Sequence, residues 1–124
     1  MTDRKFALLI AICLIGLGVF LFAGLQVADA KKVRWNKSYA SIYDADALGG
    51  AVACGGGTRG YFVAHKTLPC GTRVRFLYRH RKVTATVRDR GPFVAGRTWD
   101  LDWNVHMALG TPYGVPLVSW RLIR

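Results

Sequence analysis

The stretch "VRDRGPFVAGRTWDLD", residues 87–102, holds the densest set of proton-carrying groups in the chain. Asp89, Asp100 and Asp102 stand there with Arg88, Arg90 and Arg97 around a Gly91-Pro92 corner. The chain has only seven acidic residues, and all are aspartates. A carboxyl at a partly desolvated strand end is a candidate proton donor. Asp89 fits that description, because it continues the odd-numbered series Val83, Ala85 and Val87 just before the corner. Two simpler readings stand beside it. Asp89 could bind the backbone N–H groups of its own turn, or Asp89 and Asp100 could pair with Arg90 and Arg97 to hold the corner. Other chemistries fit less well. "LGGAVACGGGTRG" is dense in glycine but lacks the Lys-Ser/Thr ending of a phosphate-binding loop. Two cysteines and scattered histidines lack the ligand spacing of a tetrahedral metal site, so neither metal nor cofactor is expected.

The elements that must position these residues are short. "SYASIYDA" alternates as a strand, with Tyr39, Ser41 and Tyr43 on one parity and Ala40 and Ile42 on the other. "YFVAHKTLPCGT" reads as a short strand followed by a turn at Pro69–Gly71. In "RVRFLYRHRKVTATVRD", Val74, Phe76 and Tyr78 alternate with arginines. After a turn near His80, Val83, Ala85 and Val87 alternate with Lys82, Thr84, Thr86 and Arg88. That is a hairpin with one buried and one basic face. "DLDWNVHMALG" predicts a helix capped by Asp102 and stopped by Gly110, with His106 structural or exposed. "VPLVSWRLI" predicts a closing strand with Val118, Trp120 and Leu122 on one face. Short strands, one helix and Gly/Pro corners point to a small, mainly β barrel.

The 124 residues allow one small domain. Arg4 and Lys5 precede an apolar run over residues 6–27, and Ala28 and Ala30 then form an A-x-A ending. Residues 1–30 therefore read as a secretory signal peptide, or as a membrane anchor if uncleaved. Residues 31–37 read as a basic linker, and 38–124 as the domain. The expected location is outside the cell or in its envelope, with membrane contact only through residues 6–27. Cys13 lies in the export segment, leaving Cys54 and Cys70, which in a small exported domain usually pair. Such a bridge stabilises by about 3 kcal/mol. The net charge of +11 suits an anionic partner, and export disfavours nucleic acid.

Four blocks resemble the rare lipoprotein A (RlpA)-like family. They are Ala40–Tyr43, "AHKTLPCGTRV" at 64–74, "DRGPFVAGRTWDLD" at 89–102, and Ala108–Gly110. The resemblance implies a six-stranded double-psi β-barrel of the kind seen in expansins. It implies peptidoglycan glycan strands as the partner, and the basic charge adds the anionic wall polymers around them. It also implies lytic transglycosylase activity, in which an acid protonates the glycosidic oxygen and the muramic acid's own 6-hydroxyl closes onto C1. By the same resemblance Asp89, His65 and Asp100 are the catalytic candidates, and Tyr43, Thr67 and Arg90 the substrate-binding ones. Cys54 and Cys70 match the disulfide-bearing actinobacterial and phage versions. One departure matters: many family members carry a glutamate after the first block, where this chain reads "ACGGG". That loss favours the alternative of a non-catalytic, expansin-like wall-binding or loosening module. A third alternative is a structural or inhibitory barrel with no glycan role.

Overall fold

The computed structural model describes residues 31–124. The export segment expected over residues 1–30 lies outside them. Six strands close into a barrel in the order β1-β5-β2-β4-β3-β6. They are β1 (Asn36–Tyr43), β2 (Phe62–Ala64), β3 (Arg73–Tyr78), β4 (Arg81–Asp89), β5 (Trp99–Asp102) and β6 (Leu117–Leu122). Closure leaves no unpaired edge. Among the described residues one helix, α1 (Trp103–Leu109), follows β5 directly. The expected small β-barrel with one helix is thus found, and β1 takes up Asn36 and Lys37 from the end of the basic linker.

Alternation builds the core. Val74 and Phe76 on β3 face Ala85 and Val83 on β4, and all four are buried. The hairpin turns at Arg79–His80, where Arg79 takes φ 54°. Trp99 is fully buried, with Phe76 and Trp120 edge-on to it, each at 5.2 Å between ring centroids. Such pairs add about 0.5–1.5 kcal/mol beyond the area that they bury. On β6 Val118 is buried and Trp120 packs on the core, but Leu122 at the strand end is exposed.

The helix forms where its capping residues place it. Asp102 is extended and its carboxylate accepts from Asn104 N, while Gly110 closes the C-terminus at φ 67°. Asp102 also accepts from Ala45 N at 3.2 Å, tying the chain after β1 to the helix start. His106 is buried and its Nδ1 lies 2.8 Å from Thr111 Oγ1, a structural position.

Two features were not carried by the local pattern. The first is β5, whose residues read as the lead into the helix but pair in parallel with β1 and antiparallel with β2. The second corrects the inward placement of Asp89. A register shift between Val63 and Ala64 pairs Val63 with Val87 but Ala64 with Asp89, skipping Arg88. Successive strand residues point to opposite faces. Asp89 therefore follows Ala64, and not the core face of Val63 and Val87. A bulge beside a site often re-aims a side chain in this way.

Candidate functional site

The register that turns Asp89 out of the core brings it level with Asp100. Ala64 on β2 is the partner of Asp89 on one side and of Asp100 on the other. Two strand spacings put their Cα atoms about 10 Å apart. β1 completes the row, because Ser41 pairs with Asp100 and Tyr43 with Asp102. The C-terminal ends of β1, β2 and β4 thus gather with β5 on one wall of the barrel.

Asp89 is half-buried and accepts from three donors. Tyr43 Oη donates to Oδ2 at 3.0 Å. Ala53 N and Arg90 N donate to Oδ1 at 3.0 and 2.9 Å. The local-turn bond foreseen for Asp89 is present, through Arg90 N, together with contacts from two distant segments. Burial and the neighbouring Asp89 push the Tyr43 phenol far above its ordinary 10.0, so it remains a neutral donor.

Asp100 is in a different setting. Burial raises its pKa above the ordinary 3.8. The Ser41 hydroxyl and the Arg97 guanidinium pull it back, and the Asp89 charge pushes it up again. Gly91 approaches closely: at φ 132° a Cβ there would lie 3.0 Å from Asp100 Oδ2. Only glycine lets the corner close over that carboxyl.

His65 is fixed by its surroundings. Its Nδ1 accepts from Thr67 N and Leu68 N at 3.1 and 3.0 Å, which places the neutral ring's proton on Nε2. Burial, then Arg90 and Lys66, lower its pKa. Its ring lies 4.6 Å from that of Trp99. Thr67 is exposed and enters through its backbone N–H. Arg90 turns its guanidinium onto the carbonyls of His65 and Leu68 and onto Cys70 Sγ. Arg97 donates to Ser41 Oγ at 3.1 Å. The hydrogen bonds of these two arginines thus run to Ser41, backbone carbonyls and sulfur.

Cys54 and Cys70 are bonded to each other. The bridge pins the glycine-dense segment next to Asp89, where Cys54 N bonds Arg88 O and Ala53 N reaches the Asp89 carboxyl. The segment that carries a glutamate in the resembling family thus brings a backbone N–H here. Sequence reasoning missed Ala53 as a site residue, since a backbone donor has no side-chain signature. It also missed Trp103 and Tyr113, which border a cavity beside Tyr43. A tyrosine set in a Pro112–Gly114 turn was the signal available in the sequence, and the structure leaves it exposed.

Comparison with known proteins bears on the family and the fold. Residues 36–116 match the model of a family described as "Lytic transglycolase". A probable endolytic peptidoglycan transglycosylase RlpA of Aquifex aeolicus is 38% identical over 81 residues, covering 62% of this chain and 36% of that protein. A protein of the same description from Synechocystis sp. is 45% identical over 49 residues, 38% of this chain and 15% of that protein. The chain thus spans well under half the length of either relative. Among solved structures, a Clavibacter michiganensis expansin superposes with a TM-score of 0.60 at 20% identity, over 73% of this chain and 51% of its own. A Streptomyces papain inhibitor gives 0.59 at 24%, over 77% of this chain and all of its own. At those identities the likeness concerns the fold alone. With the family match running from β1 to the start of the last strand, over a closed six-stranded barrel, this chain belongs to the RlpA-like double-psi β-barrel family.

Proposed function

We propose that the protein is an exported lytic transglycosylase that cuts peptidoglycan glycan strands, with Asp89 and Asp100 dividing the proton transfers. The observation that carries this reading is the pairing of both aspartates with Ala64, which sets two unlike carboxyls on one wall. The naming of both RlpA relatives as probable peptidoglycan transglycosylases supports the substrate class.

Asp100 is assigned the donor's part, since burial raises its pKa and favours its neutral form. It donates to the glycosidic oxygen as the C1–O bond breaks. The sugar's 6-hydroxyl oxygen bonds to C1, and its proton passes to Asp89. No water is consumed, and solvent exchange restores both carboxyls. Tyr43 keeps Asp89 oriented, and the Nε2–H of His65 is free to bond the glycan. This assignment moves the proton donor from Asp89, its place in the sequence reading, to Asp100.

An expansin-like, non-catalytic role has its own support in the missing glutamate and in the expansin-like fold. A related expansin structure is described as a complex with cellohexaose, at 17% identity and a TM-score of 0.58. Purified protein lacking residues 1–30 separates the two readings when it is incubated with sacculi. Release of 1,6-anhydro-muropeptides is expected. A loss of about 10²–10⁴-fold is expected in both Asp89→Asn and Asp100→Asn. Wall binding without release would leave the expansin-like role.

A further inference from the structure

Between the tip of the β3–β4 hairpin and the end of α1 lies a concavity of about 180 Å³, bordered by Tyr78, Arg79, His80, Arg81, Leu109 and Gly110. It stands apart from the carboxyl pair. Arg81 begins the nine-residue β4 that Asp89 ends, so the two lie about 26 Å apart along the strand. None of the five aspartates among residues 31–124 borders the concavity.

The turn keeps its first arginine against the preference of the backbone. Tyr78 pairs with Arg81, which leaves Arg79 and His80 as a two-residue turn. Arg79 takes φ 54°, in a turn that ordinarily uses glycine or asparagine at such a position. Among the described residues no other non-glycine has a positive φ. Backbone strain kept at one exposed residue points to a task for its side chain.

Both guanidinium groups of the turn rest on a support. That of Arg79 lies over the Tyr78 ring, 5.5 Å from its centroid. That of Arg81 lies against Gly110, where an added Cβ would meet Nη1 at 3.1 Å. The C-terminal end of a helix favours a cation in that place. Arg79, His80 and Arg81 are all exposed, so a ligand can reach them. A carboxylate is planar, and one guanidinium fork satisfies it. Two forks on different supports, with the His80 ring between them, suit the several oxygens of a tetrahedral phosphate. The volume falls below the roughly 300–1,000 Å³ of drug-sized ligand sites, so it takes a small group and not a length of sugar chain.

We propose that this concavity binds a phosphodiester group of an anionic wall polymer, with Arg79 and Arg81 holding the phosphate. Leu109 and Tyr78 offer apolar surface to the carbons of the polyol that links one phosphate to the next. The choice of a wall polymer rests on the exported location proposed above, whereas the binding itself does not depend on the cleavage reaction. One end of β4 then holds the polymer while the other meets the glycan.

Titration calorimetry at one low salt concentration tests it with poly(glycerol phosphate) and with poly(glutamic acid) carrying the same number of charges. The wild-type protein is expected to bind the phosphate polymer more tightly. Arg79→Gly and Arg81→Gln should each lose about tenfold in affinity for it. Arg79→Gly should also melt no lower than the wild type, because glycine takes a positive φ freely. The proposal is overturned by equal affinity for the two polymers or by wild-type affinity in either variant. A lower melting temperature in Arg79→Gly would overturn it as well, by making that arginine a folding residue. So would binding to phosphatidylglycerol vesicles with none to the soluble polymer, which would give the site to a membrane surface. Protein that binds the phosphate polymer but cleaves no sacculi would uphold this site and sink the transglycosylase reading, so the two fail separately.

Discussion

Asp89 and Asp100 flank one alanine, yet they meet unlike surroundings. Asp89 is gripped by a phenol and two backbone N–H groups, while Asp100 is pressed under Gly91 with burial as its dominant influence. The direction of the Asp100 shift fixes the sign of a pH effect. A carboxyl whose pKa is raised in the folded state contributes stability that is fully present below the unfolded value. That contribution is lost as pH rises through the folded value. For Asp100 the window opens near the ordinary 3.8 and extends upward. Asp100→Asn should therefore melt higher than the wild type at neutral pH. Part of the fall in melting temperature through that window should also vanish. Asp102, raised in the same direction by burial, keeps the remainder. The same titration should appear as the alkaline limb of cleavage, because the donor must be protonated. Melting curves and cleavage rates over that range check both. An Asn variant that melts lower than the wild type at neutral pH would show that the Asp100 charge is not held at a cost.

At the scale of the element, the segment from Asp44 to Tyr61 has no regular strand or helix of its own, and the disulfide is its main anchor beside the site. Replacing both cysteines by serine should cost about 3 kcal/mol in stability. It should also lower cleavage in protein that remains folded, since Ala53 N would no longer be held on Asp89. Denaturant melts and rates measured well below the melting point separate the two effects. Rates that fall only in step with the unfolded fraction would reduce the bridge to a stabilising role. The same elements mark what was legible beforehand. The β3–β4 hairpin and α1 were readable because alternation and capping residues act within a few positions. β5 was not readable, because four residues between two aspartates gain strand character only from β1 and β2, distant in the chain. The true direction of Asp89 was hidden for a related reason. The shift at Val63/Ala64 arises between strands, so parity along β4 alone carried the side chain to the wrong face.

Over the whole molecule, the acids gather on one side of the barrel, whereas basic residues occur on both. Among residues 31–124 five aspartates stand against sixteen lysines and arginines. Asp89, Asp100 and Asp102 lie on β4 and β5, with Asp44 and Asp46 just after β1. In the closed order β3 lies across the barrel from β5, and β6 across from β2. Those far strands carry Arg73, Arg75 and Arg121, and Arg75 and Arg121 are direct partners. Like charges facing each other across strands are destabilising by some tenths of a kcal/mol. Arg121 moreover packs on the Trp35 ring and leaves its buried Nε without a partner. A face kept at that cost suits an anionic polymer, which would hold the barrel on the wall while the opposite side meets the glycan. Exposed charges are screened beyond about 8 Å at physiological salt. Binding to isolated cell wall should therefore weaken as salt is raised. The double variant Arg75→Gln/Arg121→Gln should bind more weakly at low salt and respond less to added salt. Sedimentation with wall material across a salt series measures both quantities. Binding that is insensitive to salt, or a double variant that follows the wild-type curve, would remove the arginine face from wall attachment.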